Sequence, residues 1–238
     1  MNIATDSPLP REAFERLLLA AATAYPYRTS RFFRLFASGH CTAPVLRRYA
    51  ASCCVSARKL FSTFSTMITT APDAEAKLVI LQNLMEEQGI HRNAEGLQVR
   101  PARAHDALAR RFLAACGGTP DDAIAGLHAT ERGRRLLAEG RWLEGISFLL
   151  IGQELGFSEV SRLMLEALGQ YGFSNRDLAF FAVHIEADCA HGRQALDLVL
   201  GRARTRAAQE ACIAAANDGA RAWFEMHGGA ATVDRRAA

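Results

Sequence analysis

Two histidines and an aspartate share one face of a predicted helix in the last third of the chain. His184, Asp188 and His191 are spaced four and three residues apart, so their side chains project within an arc of roughly 60° on an α-helix. Imidazole and carboxylate ligands suit iron, manganese or zinc, and the motif lacks the paired thiolates of a closed structural zinc site. The spacing therefore indicates a metal-binding face, with an exposed face of a surface helix as the competing interpretation.

The flanks of this motif favour a buried helix. Residues 178–183 are apolar, and apolar residues predominate again from 195 to 200. Ionisable groups inside a protein need partners, because an unpaired one is costly to bury. We therefore expect other helices to bring further ionisable side chains to the motif.

The rest of the chain predicts helices and shows no strand alternation. Glycine and proline separate segments with apolar residues at helical spacing, including a long helix from Trp142 to Leu168, and residues 90–100 are predicted as an irregular polar connection. Ser174 is expected to cap the central helix, Gly201 to end it, and a last helix to run to about His227. The predicted fold class is all-α, a bundle of about seven to eight helices in a single domain over residues 1–227, followed by a disordered tail over residues 228–238.

Composition limits the functions that the chain can have. The 238 residues are 50% hydrophobic, which suits one large core, and the net charge of +3 is too small for a nucleic-acid surface. No apolar stretch approaches the roughly 20 residues of a membrane span, and the start does not resemble a secretory signal. Six cysteines without a CxxC pair suit free thiols. We expect a cytoplasmic protein with a small-molecule substrate and neither nucleic acid nor membrane as partner; a homodimer is left open.

Three more ionisable residues complete a candidate metal site. Glu87 and Glu154 each interrupt an apolar helix stripe, and His105 opens the helix that follows residues 90–100. Together with the central motif they make three carboxylates and three imidazoles, an inventory that suits two metal ions in a helical bundle.

Neighbouring residues compete for two of these positions. Glu86 is the rival carboxylate and His91 the rival imidazole. Glu87 is preferred because it continues the stripe of Ile80 and Leu84, and His105 because it lies on a regular helix. The other histidines are expected at the surface: His40, His128 and His227.

These motifs resemble the heme-oxygenase-like diiron oxidases and oxygenases. The resemblance covers most of the chain and is carried by residues 83–87, 105–108, 112–117, 152–154 and 173–175, and by the central motif. It implies a heme-oxygenase-like bundle, the fold also found in the metal-free thiaminase II and pyrroloquinoline quinone synthase. It also implies that one set of residues is both catalytic and metal-binding: Glu87, His105, Glu154, His184, Asp188 and His191.

The resemblance further implies an O2-dependent oxidoreductase. It would hold two Fe(II) ions, with manganese as an alternative, and use O2 as co-substrate and an external reductant of unknown identity. A small amine or amino acid would be N-oxygenated, desaturated, cyclised or cleaved through a peroxo-diferric intermediate, in specialised metabolite biosynthesis. The alternatives are a fatty-acid decarboxylase or oxidase of the same family, or a metal-free helical protein of the same fold.

The resemblance does not extend to every reaction of the family. One member consumes a tyrosine of its own chain; the corresponding position here is Phe33, and Gln153 replaces a second tyrosine. The candidate substrate pocket combines apolar residues with two arginines that would bind a substrate carboxylate. Its members are Phe33, Phe36, Ile151, Phe157, Phe181, Arg58 and Arg162.

Overall fold

The computed structural model describes residues 7–123 and 129–232. The helices are α1 (Arg11–Ala22), α2 (Arg31–Ala37), α3 (Ala43–Thr70), α4 (Ala74–Glu87), α5 (His105–Ala115), α6 (Glu131–Ala138), α7 (Trp142–Ile146), α8 (Leu155–Leu168), α9 (Ala179–Arg202) and α10 (Arg206–Thr232). A π-helical segment (Ser147–Glu154) joins α7 to α8, and two short strands, β1 (Ile90–Asn93) and β2 (Gly96–Val99), pair antiparallel. The predicted all-α fold class is confirmed.

Helix α9 passes between two hydrophobic clusters, and this places the predicted metal-binding face at their boundary. Its first residues, including Phe181, pack in one cluster with α2, α5 and α8. Its second half, from Ala195 to Leu200, packs in the other cluster with α1, α4 and the π-helical segment. The predicted motif lies on the stretch between them, so its three side chains are buried without being enclosed by aliphatic core.

The segment between α4 and α5 differs from the prediction. Residues 90–99 form a β-hairpin, with Ile90 opposite Val99. Gly89 makes the reversal after α4 with a φ of 71°, where any side chain would be strained, and an added Cβ would lie 2.4 Å from the Arg100 carbonyl oxygen. The Arg100 amide donates to the Gly89 carbonyl at 2.8 Å. The hairpin therefore closes on itself and returns the chain to α5 close to the end of α4.

Three predicted boundaries in the second half of the chain also differ. Ser174 does not cap α9; its hydroxyl donates to Asp177 Oδ2 at 2.6 Å in the turn before the helix, which begins at Ala179 and ends at Arg202, one residue after Gly201. Helix α10 continues to Thr232, so residues 228–232 belong to the helix and not to a tail. The rest of the predicted tail lies outside the described residues. In the described ranges, no helix has the length and apolarity to cross a membrane.

The helix predicted from Trp142 to Leu168 is present, but its middle is the π-helical segment, whose first seven residues are buried. It crosses α10 at two glycines. An added Cβ on Gly152 would lie 2.4 Å from the Ala216 carbonyl oxygen, and one on Gly219 would lie 2.1 Å from the Phe148 carbonyl oxygen. The backbones touch there, so the crossing admits no side chain at either position.

We therefore expect Gly219→Ala to destabilise the protein by about 1–3 kcal/mol or more, because the methyl group must push two helices apart in a packed core. Gly228→Ala, on the same helix with open space around it, is the matched control and should be neutral or slightly stabilising. Urea unfolding of the two variants measures the difference. Equal unfolding midpoints would contradict the close crossing.

Candidate metal centre

The structure brings all six predicted ligands together from four parts of the fold. Glu87 is the last residue of α4, His105 is the first residue of α5, and Glu154 ends the π-helical segment. The hairpin explains why residues so far apart in sequence as Glu87 and His105 meet. The three other residues come from α9. Of the six residues, all except Glu154 are at most 5% exposed.

Five of the six residues form two overlapping groups that share Glu87. The first group joins it to His105 and His184, the second to Asp188 and His191, and within each group one potential ligand atom per residue lies within 4.8 Å of the others. Glu87 Oε2 is 2.7 Å from His105 Nδ1, and Glu87 Oε1 is 3.8 Å from His191 Nδ1. Glu87 thus reaches toward both groups with one oxygen each.

Glu154 approaches the second group from the end of the π-helical segment. Its Oε2 lies 3.4 Å from His191 Nδ1. Burial raises the pKa of Glu154, and it raises that of Asp188 well above the ordinary range, where repulsion from Glu154 and Glu87 adds to the effect. The centre is therefore short of positive charge, a deficit that a cation would remove.

Hydrogen bonding leaves part of this cluster unsatisfied, which tests whether metal ions fit. Four buried atoms have no hydrogen-bond partner among the described residues: His105 Nδ1, Glu154 Oε2, Asp188 Oδ2 and His191 Nδ1. The 2.7 Å contact between His105 and Glu87 is thus close but not aligned as a hydrogen bond. Buried polar atoms rarely remain unpaired. Nitrogen and oxygen donors that converge without bonding to one another fit divalent cations of the iron type.

Contacts behind the cluster orient two of its imidazoles. The Nδ1 hydrogen of His184 is donated to the Phe180 carbonyl at 2.6 Å, which leaves Nε2 as the free lone pair. Burial, with His105 nearby, lowers the pKa of His184 to about 3, so its imidazole is neutral as a ligand must be. His191 is held in the opposite sense, because its Nε2 lies 3.0 Å from Glu86 Oε2 and its Nδ1 faces Glu87 and Glu154.

Glu86 is therefore a partner of His191 and belongs to neither group. Its side chain is 46% exposed, and its hydrogen bond to His191 lowers its pKa. The rival imidazole, His91, lies on β1 and also belongs to neither group. A carboxylate placed behind a metal-ligating histidine, as Glu86 is placed behind His191, commonly fixes the tautomer of that histidine.

An apolar cavity opens onto one side of the cluster. Glu87, Glu154, His184 and Asp188 line it, whereas His105 and His191 do not. Its other walls include Tyr49, Met67, Phe157, Phe180, Trp223 and His227. A small molecule in this cavity would therefore meet the candidate metal ligands from the side of the carboxylates and His184.

The predicted pocket residues fit this cavity only in part. Phe157 lines it. Four others lie outside its lining because their helix phase turns them into the core or its edge: Phe33, Phe36, Ile151 and Phe181. Arg58 and Arg162 are exposed and do not line it either. No lysine or arginine in the described ranges reaches the lining, so the expected carboxylate clamp is absent from it.

The prediction that His227 lies at the surface is wrong. The side chain is 2% exposed, and its Nδ1 hydrogen is donated to the Trp223 carbonyl at 2.8 Å. The sequence contains a pattern that could have predicted this burial. One helix face carries, at intervals of four, three and four residues, Ala216, Ala220, Trp223 and His227. His40 is exposed as predicted, and His128 lies outside the described residues.

Burial lowers the pKa of His227 to about 4, which gives a testable pH dependence. The unfolded imidazole titrates near 6.5, so the stabilisation is full above that pH and is lost as the pH falls toward 4, with a limit on the order of 3 kcal/mol. We expect unfolding free energies, measured with urea between pH 7.5 and 4.5, to fall more steeply for the wild type than for His227→Phe. Parallel pH profiles would refute the buried neutral imidazole.

A sequence model of a protein family described as iron-containing redox enzymes matches residues 47–224. That range contains all six residues of the cluster. Among curated proteins, the chain is 27% identical over 175 residues to the 4-aminobenzoate synthase of Chlamydia trachomatis serovar D, covering 71% of both chains. It is 26% identical to the 4-aminobenzoate synthase of Chlamydia muridarum, covering 71% of this chain and 70% of that protein.

Solved structures show the same fold at low sequence identity. A domain of unknown function with a heme oxygenase-like fold from Shewanella denitrificans superposes with a TM-score of 0.68 at 12% identity, covering 94% of this chain and 93% of that one. A TenA homolog from Pseudomonas syringae pv. tomato gives a TM-score of 0.72 at 12% identity, covering 92% and 91%. The predicted heme-oxygenase-like fold is thereby confirmed, and at this identity the likeness concerns the fold alone.

Proposed function

The chain belongs to the family of iron-containing redox enzymes, and from this premise we propose that it is an O2-dependent oxidase or oxygenase with two non-heme irons. Its class, oxidoreductase, follows from the family; the number of irons, the use of O2 and the substrate are our proposals. We assign the two irons to the six clustered residues and the substrate, a small amine or amino acid, to the adjoining cavity.

The observation that carries the proposal is the buried cluster with its unsatisfied atoms. Three carboxylates and three imidazoles converge with little solvent exposure, and four of their atoms have no hydrogen-bond partner among the described residues. A metal-free protein would gain nothing from such a cluster, because buried carboxylates repel one another and lose hydration. Two divalent cations would offset the carboxylate charge and occupy the unpaired lone pairs.

The chain's residues would divide the work as follows. Glu87, His105 and His184 would hold one iron. Glu87, Asp188 and His191 would hold the other, with Glu154 beside this second group. Bound iron would supply the redox chemistry with O2. The apolar walls would exclude water from the reacting atoms. A substrate would reach the metals from the cavity, on the side lined by Glu87, Glu154, His184 and Asp188.

Anaerobic titration with Fe(II), followed by exposure to O2, tests the proposal. We expect about two irons per chain, a transient visible absorption after O2 is admitted, and O2 consumption that depends on iron. Mn(II), titrated in parallel, tests the alternative metal. Absence of iron uptake would overturn the proposal. A mass-spectrometric screen of amines, amino acids and fatty acids with iron, reductant and O2 would then identify the substrate.

A further inference from the structure

Beyond the metal-binding residues, the cavity reaches a histidine enclosed by aromatic rings. The centroid of the His227 ring lies between 5.2 and 6.0 Å from five ring centroids, those of Tyr27, Phe32, Tyr49, Phe157 and Trp223. Phe157 also contacts His184, at a centroid distance of 5.0 Å. His227 and the metal-binding cluster are thus separated by a single phenyl ring and open into the same cavity.

The hydrogen bonding of His227 leaves one nitrogen available. Its Nδ1 hydrogen is donated to the Trp223 carbonyl at 2.8 Å, so the neutral ring presents the lone pair of Nε2 as an acceptor. In the described ranges no side chain or backbone group donates to Nε2. Trp223 lines the same cavity. Its indole Nε1 hydrogen is buried and also has no partner among the described residues.

The charge of the lining restricts what can satisfy these two groups. Among the described residues, the only formally charged side chains that line the cavity are Glu87, Glu154 and Asp188, which belong to the proposed metal-binding cluster. A carboxylate beside His227 would therefore be buried without a counter-charge, which is strongly unfavourable. An ammonium group has no lone pair with which to accept the Trp223 Nε1 hydrogen. A hydroxyl or a neutral amine avoids both problems, because each can donate one hydrogen bond and accept another.

We propose that His227 and Trp223 form a recognition subsite for an uncharged hydroxyl or amine on an otherwise apolar substrate, with His227 Nε2 as acceptor and Trp223 Nε1 as donor. The proposal rests on the proposed function only in taking this cavity to be the substrate cavity. It narrows the substrate class to neutral apolar amines or alcohols. It disfavours zwitterionic amino acids at this subsite, because their carboxylate would find no counter-charge there and their ammonium group could not accept a hydrogen bond from Trp223.

Two isomeric probes isolate the acceptor. 1-Octanol and heptyl methyl ether have the same atoms, but only the alcohol donates a hydrogen bond. We expect calorimetric titration of the full chain, loaded anaerobically with Fe(II) and in parallel metal-free, to show octanol binding about five- to tenfold more tightly than the ether. Octanoate should bind the metal-free chain more weakly than octanol. Equal affinities for the two isomers, or octanoate binding as tightly as octanol, would overturn the proposal.

Variants assign the two roles separately. His227→Phe should abolish the preference for octanol over the ether, whereas Trp223→Phe should weaken both probes alike, because both accept a hydrogen bond from the indole. His40→Phe, at an exposed position, is the control and should change neither affinity. A preference that survives in a folded His227→Phe variant would overturn the proposal; if that variant does not fold, unequal losses in Trp223→Phe would do so.

The iron titration is read independently of these affinities. Normal iron uptake without a preference for octanol would overturn the subsite and leave the proposed function standing. A preference for octanol in a chain that takes up no iron would overturn the proposed function and leave the subsite standing.

Discussion

Asp188→Ala is expected to reduce the iron content of the purified protein from about two atoms per chain to one or fewer. The Asp188 carboxylate is 2% exposed, its Oδ2 has no hydrogen-bond partner among the described residues, and it belongs to the group formed with Glu87 and His191. Loss of a direct ligand should weaken binding by more than the roughly 10- to 100-fold that supporting residues contribute. Anaerobic Fe(II) titration measures this loss.

Glu186→Ala is the matched control, because it removes a carboxylate of the same charge from the same helix at an exposed position. It should bind iron like the wild type. A second readout separates the site from the fold: burial and repulsion from Glu154 raise the pKa of Asp188, so its amide analogue, Asp188→Asn, should melt no lower than the wild type when both are metal-free. Normal iron content in Asp188→Ala would refute its role as a ligand.

Substitutions of the adjacent glutamates Glu86 and Glu87, at the end of α4, should have sharply different effects on iron occupancy and turnover. Glu87 is 3% exposed and shared by both groups of potential ligands, so Glu87→Ala should abolish O2-dependent turnover and lower iron occupancy. Glu86 lies behind His191, at 3.0 Å from its Nε2. Glu86→Ala should keep both irons and lose at most about 10- to 100-fold in activity or affinity, the usual effect of removing a carboxylate that orients a ligating histidine.

Metal analysis and steady-state rates of the two variants, prepared side by side, decide between them. The pair is its own control, because both changes remove one carboxylate from consecutive positions of one helix. If Glu86→Ala loses the iron and Glu87→Ala keeps it, the helix is out of register by one residue. The contact of Glu87 with His105 would then be wrong as well.

The convergence of the six clustered residues could be predicted because helix phase and the cost of burial act locally. Spacing alone puts His184, Asp188 and His191 on one face, and a carboxylate such as Glu87 on an apolar stripe requires a partner wherever the chain goes. Those arguments hold before the packing of the helices is known. They found the same six residues that the structure brings together.

The features that escaped prediction depend on contacts between distant segments. The hairpin at residues 90–99 is short and polar, and its closure requires Gly89 to meet Arg100. The π-helical segment coincides with the crossing of α10 at Gly219. His227 is buried by rings from α2, α3 and α8, and which aromatic residues face the cavity depends on how those helices are rotated.

The closed hairpin between α4 and α5 has a consequence for how the protein can vary. Its two ends are tied by the hydrogen bond from the Arg100 amide to the Gly89 carbonyl, while Leu97 and Val99 project from it with 55% and 65% exposure. Residues can be added or removed at its tip for a small entropic cost, without altering the separation of the helix ends beneath it. Homologues can thus diverge in length between Glu87 and His105 while these two side chains keep their relative positions. Sequence alignments that penalise such gaps would miss relatives that keep both side chains but differ in the length of this hairpin.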